Sequence, residues 1–183
     1  MDNGASSYRR YLAGDEDAFS EIVSMYFDNL VFFIDRYVRE TAAAEDIAMD
    51  VFAYVVAFPN RYHFRVSLKT YLFMLGRSRA LDYLRHRGRL KTVPLSEAEQ
   101  LPADIASAEE IVLTDQRKRA VNDALCQLEE QQRLAVHLVY FEELSCDEAA
   151  KVMKKSRKQV YNLLYRAKKA LRAILGEEGE LLL

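Results

Sequence analysis

The chain has 183 residues, half of them apolar, with 6 glycines, 3 prolines and a formal net charge of −2. This length suits one medium domain or two small ones, and the scarcity of helix breakers favours helices throughout. No segment reaches the roughly 18 apolar residues of a membrane span, and the N-terminus lacks a signal-peptide core. Cys126 and Cys146 show no CxxC or Cys/His spacing. We therefore expect a cytoplasmic protein with reduced thiols and no membrane insertion.

Two helices are predicted near the N-terminus. Apolar residues recur at steps of three and four over residues 19–38, which predicts an amphipathic helix of about five turns. A second helix is expected to begin near Thr41, a plausible N-cap. It should end by Phe58, because Pro59 disfavours helix at the residue before it.

A third helix completes the first predicted domain. Residues 60–66 suggest a loop, and Ser67 is a candidate N-cap for a helix ending around Gly88. Because the three helices can share one apolar face, we expect an all-α domain over residues 5–90.

The second half of the chain begins with a predicted linker. Periodicity disappears over residues 91–107, where Pro94, Pro102 and an acidic run predict a flexible, acidic connector. Helical pattern then resumes in a second predicted domain, residues 108–175. Its last part contains a short helix near residues 146–153 and a longer one from Ser156 to about Leu175.

The small net charge hides a strong segregation along the chain. Residues 58–93 hold nine Lys or Arg against a single Asp, and residues 145–175 hold nine against two carboxylates. Residues 1–57 hold eleven carboxylates against four cations, and residues 94–115 hold six carboxylates and no cation. Two basic blocks separated by an acidic connector are typical of a polyanion binder with two contact surfaces.

The C-terminal basic block has the pattern of a helix-turn-helix. Val160, Leu164, Ala167 and Leu171 form an apolar stripe, and most cations lie off it. A short helix precedes this one across a tight turn, and polar and cationic residues lead the second helix. Arg, Asn and Gln can make bidentate contacts with purine edges, whereas Lys suits phosphates. A membrane-surface or calmodulin-target helix shares the basic amphipathic pattern. The expected DNA contacts are Ser156, Arg157, Lys158, Gln159, Tyr161, Asn162, Arg166 and Lys169.

The first basic block mixes cations with aromatic residues. Lys69, Arg77, Arg79, Arg85 and Arg87 alternate with Tyr71, Phe73 and Tyr83. Aromatic rings can stack on unpaired bases while cations follow the backbone, which favours binding of single-stranded DNA. The alternative is that Tyr71 and Phe73 belong to the core, and for Tyr71 the core is the preferred interpretation.

Three ordered blocks resemble one known family. The stretches AEDIAMDVFAYV, TYLFMLGRSRALDYLRHR and LEEQQRLAVHLVYFEELSCDEAAKVMKKSRKQVYNLLYRAKKAL are similar to motifs of bacterial sigma factors of the extracytoplasmic-function group. The resemblance covers about residues 18–88 and 111–175, with a variable linker between.

The resemblance implies a function without catalysis or cofactors. The first domain would dock on core RNA polymerase and help to melt the minus-ten promoter element, and the second would read the minus-thirty-five element. Docking would involve the beta-prime clamp helices and the beta flap, and the family also allows for a cognate anti-sigma factor. The matching polymerase-binding residues are Asp46, Asp50, Val51 and Phe52. The loop 60–65 would take a flipped base, and the matching minus-ten residues are Asn60, Phe64, Arg65, Lys69, Arg77, Ser78, Asp82, Arg85 and Arg87.

The sequence departs from the family pattern at three positions. Ser78 stands where the family usually has Asn. Lys154 stands where the turn usually has Gly, and a left-handed backbone costs more with a side chain. Lys155 replaces a usually apolar turn residue, although its stem can cover apolar surface.

Three other classes of protein remain as alternatives. A DNA-binding regulator that does not join polymerase would leave the aromatic-basic block unexplained, and a helical anti-sigma adaptor would not need two basic surfaces. An enzyme would need a site, but His63, His86 and His137 lack ligand spacing and no phosphate loop or nucleophile elbow is present. The pair of Asp46 and Asp50 at i and i+4 without a partnering His suits a docking surface better than a metal.

Overall fold

The computed structural model describes residues 4–90 and 121–175, and every regular element in these ranges is a helix. This confirms the all-α fold class. The described residues divide into two compact units, one with residues 4–90 and 150–155, the other with residues 121–149 and 156–175. The predicted linker over residues 91–107 and the start of the predicted second domain lie outside the described residues.

Four α-helices and a 3₁₀ turn make up residues 4–90. The long helix predicted over residues 19–38 is confirmed as α2. It ends because Arg39 adopts a left-handed φ of 53° and its N–H bonds to the Asp35 carbonyl at 2.7 Å. The elements are α1 (Ala5–Leu12), α2 (Asp17–Val38), α3 (Thr41–Ala57), the 3₁₀ turn Pro59–Arg61 and α4 (Leu68–Leu90).

Two of the predicted helix ends agree with the structure and one does not. Ser67 caps α4 as predicted, since its Oγ accepts the Thr70 N–H at 3.2 Å. The helix α3 ends one residue before Phe58, as Pro59 requires. Thr41, however, is the first residue of α3 and not its N-cap, so that prediction was wrong. Glu40 occupies the cap position in extended backbone, and no side-chain bond caps the helix.

The core of this first unit lies where α2, α3 and α4 meet. Phe33 of α2 and Phe73 of α4 pack with tilted rings whose centres lie 4.8 Å apart. Both are fully buried, so Phe73 is a core residue. The helices approach closely at Gly76, where an added Cβ would lie 2.9 Å from Leu30. The fully buried side chains include Ile22, Leu30, Phe33, Ile34, Val51, Val55, Leu68, Leu72 and Phe73.

Residues 121–175 contain the remaining helices. Helix α5 covers residues 121–126 and is followed by α6 (Glu130–Val136), a π-helical turn (His137–Phe141), α7 (Cys146–Met153) and α8 (Arg157–Leu175). The two predicted C-terminal helices are therefore confirmed. An apolar cluster joins α5, α6 and α8 through Ala124, Leu128, Val136, Ala167 and Leu171.

The π-helical turn was not predicted, since the apolar pattern suggested an ordinary helix here. The Glu142 N–H bonds to the His137 carbonyl five residues back, at 3.0 Å. This wider turn accompanies a buried polar pair, with His137 Nε2 and Glu142 Oε1 3.4 Å apart.

Candidate nucleic-acid and polymerase interfaces

One face of α3 is exposed, acidic and partly apolar. Asp46 and Asp50 both lie on it, as predicted, together with Glu45. Sequence reasoning missed two apolar members of this face, Met49 and Val56, whose side chains are 58% and 43% exposed. Such a mixed surface can bind a protein by burying apolar area while its carboxylates meet cations on the partner.

The other two predicted docking residues face the opposite way. Val51 and Phe52 are 0% and 3% exposed and pack in the interior. A side chain with almost no exposed surface can contact a partner only if the helix unpacks, so both residues hold α3 from the interior, and their direct contact with polymerase stays a prediction. Val51 recurs with Ile47 and Val55 at intervals of four residues, which is the spacing of one helix face, and that face is the buried one.

A groove beside α3 adds further exposed apolar surface. It has a volume of about 290 Å³ and lies between α2 and the start of α3. The Phe32 ring, 52% exposed, lines it and is covered by the Arg36 guanidinium at 4.5 Å. Its other lining residues are Phe27, Asp28, Val31, Asp35, Thr41 and Glu45.

The predicted base-binding loop is anchored by tyrosines. The Tyr8 hydroxyl donates to the Pro59 carbonyl at 2.9 Å, and the Tyr62 hydroxyl donates to the Val66 carbonyl at 2.7 Å. Burial raises the pKa of Tyr8 to about 12, and burial also raises the pKa of Tyr62 and of Tyr71. All three hydroxyls are neutral at physiological pH, and those of Tyr8 and Tyr62 donate to the loop backbone.

Phe64 is held in an unusual conformation within this loop. Its φ of 56° is left-handed, which is rare for a large side chain and costs energy. Its ring packs against Tyr62 with centres 4.6 Å apart and is 38% exposed. Asn60 and Arg65 on either side are exposed as well. The loop thus presents one aromatic surface flanked by polar groups, as base stacking requires.

Helix α4 carries the predicted cationic residues beside this loop. Ser78, Asp82 and Arg85 are exposed, whereas Arg77 and Arg87 are half-buried. Lys69, also half-buried, lies with its Nζ 5.9 Å from the centre of the Phe73 ring. Tyr71 is half-buried and stacks on Tyr62 at 5.1 Å, so it supports the loop more than it faces solvent.

Several of these arginines already have carboxylate partners. Arg85 pairs with Asp82 at 2.6 Å, and Arg87 pairs with Glu40 at 2.7 Å. The Tyr83 hydroxyl also donates to Glu40, at 3.5 Å. Because exposed ion pairs contribute about 0–1 kcal/mol, an arriving phosphate can replace either carboxylate at low cost.

The turn before α8 has the geometry expected of a helix-turn-helix. Lys154 has a left-handed φ of 53°. This is the position where the family usually has Gly and where the sequence predicted strain for a residue with a side chain. The Lys155 N–H bonds to the Ala150 carbonyl at 2.9 Å and closes the end of α7. Lys155 is half-buried, which fits a stem lying on apolar surface.

Reciprocal capping boxes start both helices of this motif. Before α7, Ser145 Oγ accepts the Glu148 N–H at 3.3 Å, and Glu148 Oε2 accepts the Ser145 N–H at 3.1 Å. Before α8, Ser156 Oγ accepts the Gln159 N–H at 3.2 Å, and Gln159 Oε1 accepts the Ser156 N–H at 2.8 Å. The N-cap prediction for Ser156 is confirmed, and Gln159 has a structural role that sequence reasoning missed.

The predicted DNA-contacting residues of α8 all lie on its exposed surface. Val160, Ala167 and Leu171 are buried and Leu164 is half-buried, so the apolar stripe is confirmed. Tyr165, 71% exposed, extends the exposed surface and was not among the predicted contacts. Arg157 lies 3.5 Å from Asp147 of α7. The predicted contacts, exposed without exception, are Ser156, Arg157, Lys158, Gln159, Tyr161, Asn162, Arg166 and Lys169.

Metal and membrane features were sought over the same residues. Within residues 4–90 and 121–175, His, Cys, Asp and Glu form no group of three that could hold a metal ion. Nor does any helix in the described part of the chain have the length and apolarity to cross a membrane.

Two family models match the chain. The model described as Sigma-70 region 2 matches residues 22–90, and that described as Sigma-70, region 4 matches residues 118–171. The first range contains α3, the predicted base-binding loop and α4, and the second contains α7, the turn and most of α8.

Curated relatives match over nearly the full chain. The RNA polymerase sigma-H factor of Pseudomonas aeruginosa is 27% identical over 170 residues, covering 88% of this chain and 88% of the relative. The ECF RNA polymerase sigma factor SigW of Bacillus subtilis is 26% identical over 174 residues, covering 90% of this chain and 92% of the relative.

Solved structures have the same fold. The sigma factor RpoE of Bartonella quintana, in complex with the anti-sigma factor NepR, matches with a TM-score of 0.63 and 23% identity, covering 87% of this chain and 97% of that one. CnrH, in complex with the cytosolic domain of CnrY, matches with a TM-score of 0.59 and 20% identity, covering 94% of each chain.

Proposed function

This chain belongs to the sigma-70 family, as an RNA polymerase sigma factor of the extracytoplasmic-function type, and we propose which of its residues carry each step of promoter-specific initiation. Sigma factors of this type bind core RNA polymerase and promoter DNA. In this assignment, region 2 corresponds to residues 5–90 and region 4 to residues 108–175, joined by a linker over residues 91–107.

Core polymerase docks on the exposed face of α3. Asp46 and Asp50 supply the negative charge, and Met49 and Val56 supply apolar area. Val51 and Phe52 act indirectly, because they hold α3 in the core and so keep that face in position. The partner surfaces are the beta-prime clamp helices for region 2 and the beta flap for region 4.

Region 2 captures a base of the melted minus-ten element. Phe64 supplies the stacking surface, and Asn60 and Arg65 flank it with hydrogen-bonding groups. The strand then runs along α4 past Lys69, Arg77 and Ser78. Arg85 and Arg87 exchange their carboxylate partners for phosphates, which adds a salt-dependent part to the affinity.

Region 4 inserts the start of α8 into the major groove at the minus-thirty-five element. Arg157, Lys158 and Gln159 lead the helix and meet base edges. Tyr161 and Asn162 lie one turn further along. Arg166 and Lys169 lie where the helix leaves the groove, and they contact phosphates.

The chain performs no chemistry itself, because phosphodiester formation belongs to the polymerase. It acts in the cytoplasm, where core polymerase and promoter DNA are found. The two solved structures of similar fold contain anti-sigma factor NepR and the cytosolic domain of CnrY, respectively. We extend a partner of that kind, a cognate anti-sigma factor, to this chain.

The observation that supports this proposal most is the presence of two basic surfaces in one chain, an aromatic and cationic one formed by the loop 60–66 with α4, and a helix-turn-helix formed by α7 and α8. The test is in vitro transcription with core polymerase, the full chain and genomic fragments. Start sites that appear only when the chain is present, each preceded by two shared sequence elements, are the expected result. If the chain neither co-elutes with core polymerase nor directs selective starts, the proposal fails.

A further inference from the structure

Arg9, on the first helix, lies directly over the base-binding loop. Its guanidinium carbon is 5.0 Å from the centre of the Phe64 ring. Within residues 4–90 and 121–175, Arg9 takes part in no ion pair. The neighbouring Arg10 differs sharply, since it is paired with Asp15 at 2.7 Å and with Glu21 at 2.9 Å. Of these two adjacent cations, Arg9 is the one whose charge is not already matched by a described carboxylate.

The first helix is fixed to the loop by a buried tyrosine. Tyr8 is fully buried, and its ring packs edge-to-face on Tyr62 and Phe64 with centres 5.2 Å and 6.0 Å apart. Its hydroxyl bonds to the Pro59 carbonyl at the start of the loop. Arg9 is therefore held beside Phe64 by a packed cluster, although its own side chain is exposed.

The ring face that Arg9 covers is one that a base could use. A base placed between the Phe64 ring and the Arg9 guanidinium makes two stacked contacts of about 3.5 Å each, so the ring and the guanidinium must be about 7 Å apart. The observed 5.0 Å is too short, so the guanidinium must move outward before a base can enter. Guanidinium planes stack on bases as well as on aromatic rings, so the displaced group can close on the base's other face.

We propose that Arg9 is a DNA-contacting residue of the minus-ten site, whose guanidinium leaves Phe64 and stacks on the outer face of the captured base. The inference rests on the function proposed above, and it assigns a contact to a helix that lies outside the match to region 2. In the free protein the guanidinium covers an aromatic surface that would otherwise be exposed. In the complex it adds a cation beside the DNA strand.

The test compares Arg9→Ala with Arg9→Lys and with Arg10→Ala as the matched control. Holoenzyme is formed from core polymerase and each full-length variant, and open complexes are measured on a promoter selected by run-off transcription. Arg9→Ala is expected to weaken open complexes about five- to tenfold, the range of a solvent-exposed cation–π contact plus one nearby charge. Arg9→Lys should recover part of the loss, and Arg10→Ala should stay within about twofold of wild type.

A scan of single abasic sites in the non-template strand then separates stacking from simple charge. At the captured position, removal of the base should reduce the difference between wild type and Arg9→Ala to the small part that comes from charge alone. The inference is overturned if that difference persists undiminished on abasic DNA, if Arg9→Ala behaves like wild type, or if it also loses core binding. Failure of wild-type holoenzyme to start selectively would instead refute the proposed function.

Discussion

Replacing Gln159 by Glu should separate two roles that this residue plays at the start of α8. Its Oε1 accepts the Ser156 N–H at 2.8 Å, which completes a capping box. Its NH₂ group makes no hydrogen bond within the described residues and is assigned to a base edge. Glutamate keeps the acceptor that caps the helix but removes the donor that reads the base.

Gln159→Glu is expected to change the stability of α8 and the affinity for DNA in different directions. Loss of a cap costs about 1 kcal/mol, whereas a carboxylate near a helix N-terminus contributes about 0.3–1 kcal/mol favourably. Gln159→Glu should therefore leave α8 as stable as before or slightly more stable. Loss of a bidentate base contact costs about 1–3 kcal/mol, and the new charge repels phosphate as well. Affinity for the preferred minus-thirty-five duplex should fall at least tenfold.

Gln159→Ala supplies the comparison, since it should lose about 1 kcal/mol of helix stability together with the base contact. Local stability is measured by hydrogen exchange over residues 156–165 of the full-length chain. Binding is measured by anisotropy on the preferred and on a scrambled duplex over a salt series. If Gln159→Glu keeps full discrimination between the duplexes, Gln159 is only a cap. If it exposes α8 to exchange, the capping argument is wrong.

Four further changes test other parts of the molecule. Asp50→Arg should weaken core-polymerase binding at least tenfold with unchanged helicity, because it reverses a charge on the exposed face of α3; unchanged affinity in a pull-down titration would remove that assignment. Tyr8→Phe should cost about 1 kcal/mol through the lost bond to Pro59. Burial raises the pKa of Tyr8 to about 12, so its contribution to stability is complete below pH 10 and decreases as pH rises towards 12. In denaturant titrations, the fall in the free energy of unfolding between pH 10 and pH 12 should therefore be smaller in the Phe variant. Lys154→Gly should raise the free energy of unfolding by about 0.5–1 kcal/mol, because it relieves a left-handed residue; no gain in the same titration would mean that the turn is unstrained. Lys169→Ala, at a residue assigned to phosphate, should weaken binding to all duplexes alike and lower the salt slope by about one, whereas a loss confined to one sequence would contradict a phosphate contact.

The sequence predicted best those features that repeat along one element. The apolar stripe of α8 and the length of α2 follow from steps of three and four residues, and both are present in the structure. The cap at Ser67 follows from local chemistry and is also present. Such features depend on a few residues close together in the sequence, so they can be predicted without knowledge of the fold.

Features that depend on contacts far along the chain were missed. Val51 and Phe52 match family positions, but a match of position does not tell which way a side chain points. The helix α1 spans only 8 residues, too few for a periodic pattern, and its position depends on the contact of Tyr8 with Pro59, 51 residues away. The π-helical turn accompanies the buried contact of His137 and Glu142, and the local apolar pattern does not predict that contact.

The arginines assigned to DNA carry a further regularity, since three of them hold exposed carboxylates in the free chain. Arg85, Arg87 and Arg157 pair with Asp82, Glu40 and Asp147 at 2.6, 2.7 and 3.5 Å. Each pair is weak because its partners are exposed or, for Arg87, only half-buried, yet each carboxylate stays beside the DNA after the exchange and repels it. A chain with a net charge of −2 and partly neutralised basic surfaces should therefore bind random DNA poorly on its own.

Docking on polymerase changes this balance. Carboxylates on the exposed face of α3 would be covered by the partner, which removes part of the negative field beside α4. On the docking proposed above, the same acidic face would weaken DNA binding while it is uncovered. In this view the segregation of charge along the sequence makes promoter binding conditional on assembly, so that the chain reads DNA mainly as part of the holoenzyme.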